Sequence, residues 1–123
     1  MIKGFDDETS PLTDYELEKL VPVVAFGLKF HRGKKNAVTS THICRALTGK
    51  GYKINGARLR KVVDHIRLND IVSNVIASSK GYWVSDSRAE VMAHIDSLDS
   101  RARAILAVGD ALREQMQDLQ FTI

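Results

Sequence analysis

The chain is poor in the residues that usually announce a chemistry or a compartment. Cysteine occurs once, at Cys44, so no intramolecular disulfide can form. The N-terminus also lacks the charged-then-apolar pattern of a secretory leader, and together these predict a reducing intracellular setting. No apolar run approaches the ~20 residues needed to cross a bilayer, so no membrane partner is expected. The glycines are scattered and build no phosphate-cradling loop, and neither a nucleophile elbow nor a paired-histidine metal motif is present. His42 and Cys44 lie close in sequence, but His31, His65 and His94 do not complete a spaced ligand set. No metal, no cofactor and no enzymatic activity are therefore expected. Tryptophan also occurs once, at Trp83; a lone aromatic on a hairpin is better read as core cover than as a base-stacking platform.

What the chain does have is 123 residues, 44% of them apolar, enough for one domain with an appended element. It also has a segregated charge. Residues 29–83 carry 12 basic side chains against only Asp64 and Asp70, a net +10, whereas residues 1–28 come to −4 and residues 84–123 to −3. A basic centre between acidic flanks is the layout of a module that binds a polyanion.

Taken in order, residues 1–12 are polar and acidic and read as a flexible tail. Thr13 and Glu16 form a capping box, and Leu17, Leu20, Val21, Val24 and Leu28 recur at helical spacing, which predicts a helix over about 14–30. Pro22 inside it predicts a kink or break near Glu18 to Val21. Phe26 and Phe30 are expected to join the core. A basic loop over His31 to Asn36 and a short strand at Ala37 to Thr39 follow. Thr39 or Ser40 then caps a helix over about 40–48, with Ile43, Ala46 and Leu47 facing inward and Gly49 ending it. Asn55 caps the next helix, about 56–69, whose Leu59, Val62, Val63 and Ile66 make one apolar stripe. Its opposite face carries Ala57, Lys61, Asp64 and Leu68, flanked by Arg58 and His65 on one side and Arg60 and Arg67 on the other. Ile71 to Ala77 and Tyr82 to Ser85, joined by Ser78, Ser79, Lys80 and Gly81, read as a β-hairpin.

A second capping box, Ser87 to Glu90, opens a helix that runs without proline to about Asp118. Val91, Ile95, Leu98, Ala102, Ile105, Gly109, Leu112, Met116 and Leu119 alternate by four and three, a heptad seam. Either it pairs with a second copy or it folds back on the first helix. The fold class is thus α+β: mainly helical, with a small antiparallel hairpin and a long C-terminal helix. Its divisions are the tail at 1–12, a domain at 13–86 and a helix at 87–119, the dimerisation element.

The run GYKINGARLRKVVDHIR…IASSKGYWVSD resembles the winged helix-turn-helix superfamily, and more closely small winged-helix proteins of unknown function encoded by bacteriophages and prophages. The resemblance spans about residues 13–86. It implies that Ala57 to Arg67 corresponds to a recognition helix and Ser78 to Gly81 to a wing tip. The expected partner is double-stranded DNA, bound by a homodimer acting as a transcriptional regulator in the cytoplasm of a bacterial or phage-infected cell. Asn55, Arg58, Arg60, Lys61 and His65 are the expected contacts of the recognition helix, with Ser78, Ser79 and Lys80 at the wing and Lys34, Lys35, Lys50 and Lys53 on phosphates. Val91, Ile95, Leu98, Ala102, Ile105, Leu112 and Met116 are the expected dimer seam. The alternatives are a module that binds a host protein, favoured by Asp64 and Leu68 on the reading face, and an accessory factor in replication or recombination.

Overall fold

The structure, a computed structural model, describes residues 9–119. It divides into two compact units, one ending at Asp86 and one beginning at Ser87. The expected architecture is present at the level of elements: mainly helical, with one two-stranded antiparallel sheet and a long C-terminal helix. Residues 1–8 of the expected tail lie outside the described residues. The rest of it is held rather than loose, since Leu12 packs on the core and the Ser10 and Pro11 carbonyls accept hydrogen bonds from Arg58.

The capping box closes as its spacing predicts: the Thr13 amide donates to Glu16 Oε1 at 2.8 Å and the Glu16 amide to Thr13 Oγ1 at 3.2 Å. The irregularity forced by Pro22 takes the form of a π-helical turn, Glu16–Leu20, ahead of helix α1, Val21–Leu28. Proline then sits in the first turn of the α-helix, immediately after the wide turn. The wide turn also changes which side chains face inward, and Glu16 is buried where Leu17 was expected. Phe26 and Phe30 do not join the core. Phe26 lies on the far side of α1 from Val24 and Leu28 and Phe30 in the turn just past its end; both are well exposed and stack edge to face at 5.2 Å.

Helix α2, Ser40–Gly49, is capped by Thr39, whose hydroxyl accepts from the His42 amide. Leu47 is its buried anchor and Ile43 is half-buried, but Ala46 is exposed, contrary to its expected inward position. The helix ends at Gly49 as expected, and the left-handed residue that closes it is Gly51, at φ +92°. The Tyr52 amide bonds back to the Leu47 carbonyl and the Gly51 amide to the Thr48 carbonyl, which is a Schellman closure. Tyr15 adds a tie from the first helix, its hydroxyl accepting from the Lys53 amide at 2.9 Å.

Helix α3, Gly56–Leu68, follows from its stripe: Leu59, Val62, Val63 and Ile66 are essentially inaccessible and form the centre of the core with Leu20, Val24 and Leu28. Asn55 Oδ1 accepts from the Arg58 amide at 2.9 Å. Asn55→Ala is accordingly expected to lower the unfolding free energy by about 1 kcal/mol, read from the midpoint of a urea titration.

The hairpin is shorter than the apolar run suggested. Strand β1, Val75–Ser78, pairs with β2, Gly81–Val84, in the register Val75 to Val84 and Ile76 to Trp83. Residues before Val75 form a loop because Asp70 and Asn74 adopt positive φ. Val75 and Val84 join the core, and Ile76 and Trp83 on the opposite face are buried too. The short strand expected at Ala37 to Thr39 is reduced to a single antiparallel bridge, in which Val38 and Tyr82 exchange amide–carbonyl bonds of 2.9 and 2.8 Å.

Helix α4, Arg88–Gln117, starts at its predicted cap, Ser87 Oγ accepting from the Glu90 amide at 3.2 Å. None of its residues is buried, so its apolar seam lies open, with Ile105 72% exposed.

Candidate functional site

The sequence placed five contacts on or beside α3, and the structure separates them. Arg58 is committed elsewhere. Its Nε donates to Glu16 Oε2 at 2.7 Å, one terminal nitrogen to Glu16 Oε1 at 2.6 Å, and the remaining donors reach the Ser10 and Pro11 carbonyls. The ion pair is nearly sealed from solvent. This corrects the expectation that Arg58 meets a ligand: its fork is filled by the segment ahead of α1, which a reading of α3 alone could not reveal. Asn55 turns its side-chain oxygen to the helix cap. His65 is half-buried, and the Asn69 side-chain nitrogen donates to its carbonyl and lies 3.3 Å from its Nδ1.

Arg60, exposed, and Lys61, half-exposed, remain as cations of α3 open to a ligand. Arg60, Asp64 and Arg67 run along one side of the helix at spacings of four and three, and all three lie close enough to Tyr82 on β2 for their charges to act on its hydroxyl. Burial pushes the Tyr82 hydroxyl up from its ordinary value; Arg60 and Arg67 oppose that shift and Asp64 adds to it. Arg67 also fastens helix to hairpin, its Nε donating to the Val75 carbonyl at 3.1 Å. Neither Tyr82 nor the bracing role of Arg67 was legible locally, because both depend on how hairpin and helix meet.

Ser78, Ser79 and Lys80 are all exposed at the hairpin turn, where Ser78 Oγ accepts from the Lys80 amide at 3.0 Å. Lys34 and Lys35 stand exposed on a 3-10 turn, Lys34–Asn36, in the loop bonded to β2 through Gly33 and Val38. Lys50 and Lys53 are exposed in the turn between α2 and α3. An open groove of about 520 Å³ is lined by Phe30, His31, Asn36, Ala37, Val38, Thr39 and His42. His31 Nδ1 is occupied there by the Asn36 carbonyl at 2.8 Å.

Cys44 is half-buried, and burial pushes its thiol up, the direction opposite to that of a reactive cysteine. Among the described residues no group of three His, Cys, Asp or Glu side chains could hold a metal ion, and no helix is long and apolar enough to cross a membrane. No protein-family model, curated protein or solved structure matches the chain.

Proposed function

We propose that the chain is a winged helix-turn-helix protein that binds double-stranded DNA as a homodimer, in the manner of a phage or prophage transcriptional regulator. The order α1, α2, turn, α3, hairpin supports that fold, and the Val38 to Tyr82 bridge stands where a third strand would close the wing. The observation that carries the ligand is the cationic surface. Arg60, Lys61, Lys80, Lys34, Lys35, Lys50 and Lys53 have no carboxylate within ion-pair distance among the described residues. In this reading α3 enters the major groove with Arg60 and Lys61, Lys80 follows the adjacent backbone, and the remaining lysines hold phosphates.

Fluorescence anisotropy on a mixed-sequence duplex tests it. Binding should weaken steeply between about 50 and 200 mM salt. Lys61→Ala should either cost about 1–3 kcal/mol on a preferred sequence or lower the salt slope by about one, depending on whether it meets a base or a phosphate. No binding at low salt, or affinity indifferent to salt, overturns the proposal.

A second reading, docking to a host protein, is favoured by Leu68, 85% exposed on the same helix face as Asp64. An exposed leucine beside a carboxylate suits a protein surface better than a phosphate backbone. A partner retained from host lysate after nuclease treatment, and lost in Leu68→Glu, would favour it.

A further inference from the structure

Helix α4 leaves more apolar surface open than a lone helix needs. Besides the seam, Leu106 and Val108 are 66% and 61% exposed, and the block 104–109 carries no charge. Contiguous apolar surface of this extent marks an interface. We infer that it pairs two copies of α4 antiparallel, with the two-fold axis at the level of Ala107. This rests on the homodimer in the function proposed above and deepens it by fixing orientation and register.

Three features select that arrangement. The first is volume. In the heptad, Ile95, Ala102, Gly109 and Met116 occupy a positions, and Leu98, Ile105, Leu112 and Leu119 occupy d positions. A parallel pair stacks a on a, so Ala102 meets Ala102 and Gly109 meets Gly109, leaving two underfilled layers in the middle of the seam. The antiparallel pair stacks a on d: Gly109 receives the partner's Ile105 and Ala102 the partner's Leu112, so each small residue faces a large one.

The second is charge. Asp99 and Arg113 occupy e positions at nearly equal distances on either side of Ala107. In the antiparallel pair each Asp99 meets the partner's Arg113, twice by symmetry. Their contacts within the helix, Asp99 to Arg103 at 4.0 Å and Arg113 to Asp110 at 2.7 Å, are solvent-exposed and weak enough to exchange. A parallel pair instead sets Arg113 against the partner's Val108.

The third is the uncharged block. At this register Leu106 meets the partner's Leu106 and Val108 the partner's Val108. Sliding by one heptad in either direction puts Leu106 against the partner's Asp99 or the partner's Arg113, and a parallel pair puts it against the partner's Arg101. Only one arrangement satisfies volume, charge and the apolar block together.

Two measurements on the full chain test it. In sedimentation equilibrium, Asp99→Arg and Arg113→Asp should each weaken the dimer by about tenfold, and the double variant should return it to within about threefold of the parent. Circular dichroism confirms that helix content is unchanged. In the second, a spin label at Ala89→Cys in a Cys44→Ser background should report a separation of about 54 Å, from 1.5 Å per residue over 36 residues. A separation of about 20 Å, from helices in side-by-side contact, means a parallel pair and overturns the orientation while leaving the dimer intact. Failure of the double variant to recover overturns the register. A monomer at high concentration overturns the pairing altogether, and the duplex titration, read separately, still decides whether the chain binds DNA.

Discussion

Arg58→Met is expected to destabilise the fold by about 3–5 kcal/mol, because it leaves the Glu16 carboxylate buried without its cation. Glu16→Leu combined with Arg58→Met should cost much less than the two single changes added together, since an apolar pair of similar volume removes both charges at once. The same pair governs behaviour in acid. The Arg58 hydrogen bonds hold the Glu16 carboxyl at about 2 against its usual 4.5, overcoming the burial that would raise it, with help from Thr13. A carboxyl more acidic in the folded chain than in the unfolded one contributes stability in full above about pH 5. That contribution, about 3 kcal/mol for a shift of this size, is lost as pH falls from 4.5 toward 2. In Arg58→Met only the Thr13 hydrogen bonds are left to oppose burial, so the stability lost on acidification shrinks and the variant lies closest to the parent in acid. Urea titrations between pH 3 and pH 7 of both proteins, at about one-unit intervals, read the two slopes. Arg32→Ala is the control: its partner Asp86 is exposed, and the midpoint should stay essentially where it is. If Arg58→Met proves equally mild, the buried pair does not brace the fold.

Gly81→Ala should be nearly as severe, at about 3 kcal/mol or more, for a reason confined to backbone. Gly81 has φ +113°, and a Cβ there would lie 2.4 Å from the Val38 carbonyl oxygen and 2.7 Å from its carbon. The obstacle cannot rotate away, because that carbonyl accepts from the Tyr82 amide in the bridge that ties the 31–38 loop to β2. Gly51→Ala separates strain from collision, since Gly51 also has positive φ but nothing within 4 Å of a Cβ. It should cost only about 1–2 kcal/mol. Equal losses at the two positions, in thermal or urea unfolding, would mean that the close approach to Val38 contributes nothing.

The local signals in the sequence were dependable where the physics is local. Thr13 with Glu16, Thr39, Asn55 and Ser87 all cap helices as their spacing predicts, and the stripe Leu59, Val62, Val63, Ile66 is the core of α3. Phe26 lies about 200° around the helix from Val24 and so faces outward, while Phe30 falls in the turn past Leu28, beyond the end of the helical spacing. The π turn could not be read as such: Pro22 announces an irregularity, but whether the chain kinks, breaks or widens depends on what Glu16 gains by turning inward. That gain comes from Arg58, 42 residues away. For the same reason the candidate site was only partly legible. Positive charge could be counted along the chain, but whether a given arginine faces a ligand or a buried carboxylate is decided by packing between distant segments.

The length of α4 has a consequence for the geometry of any target. In the antiparallel pair Arg88 lies 19 residues from the two-fold axis, so the points where the two helices begin are separated by about 57 Å at 1.5 Å per residue. Half-sites on successive turns of one duplex face lie only about 34–36 Å apart. Under the proposed pairing and DNA binding, α4 would act as a strut rather than a clamp, and the predicted targets are two sites set well apart on one duplex or two separate stretches of DNA.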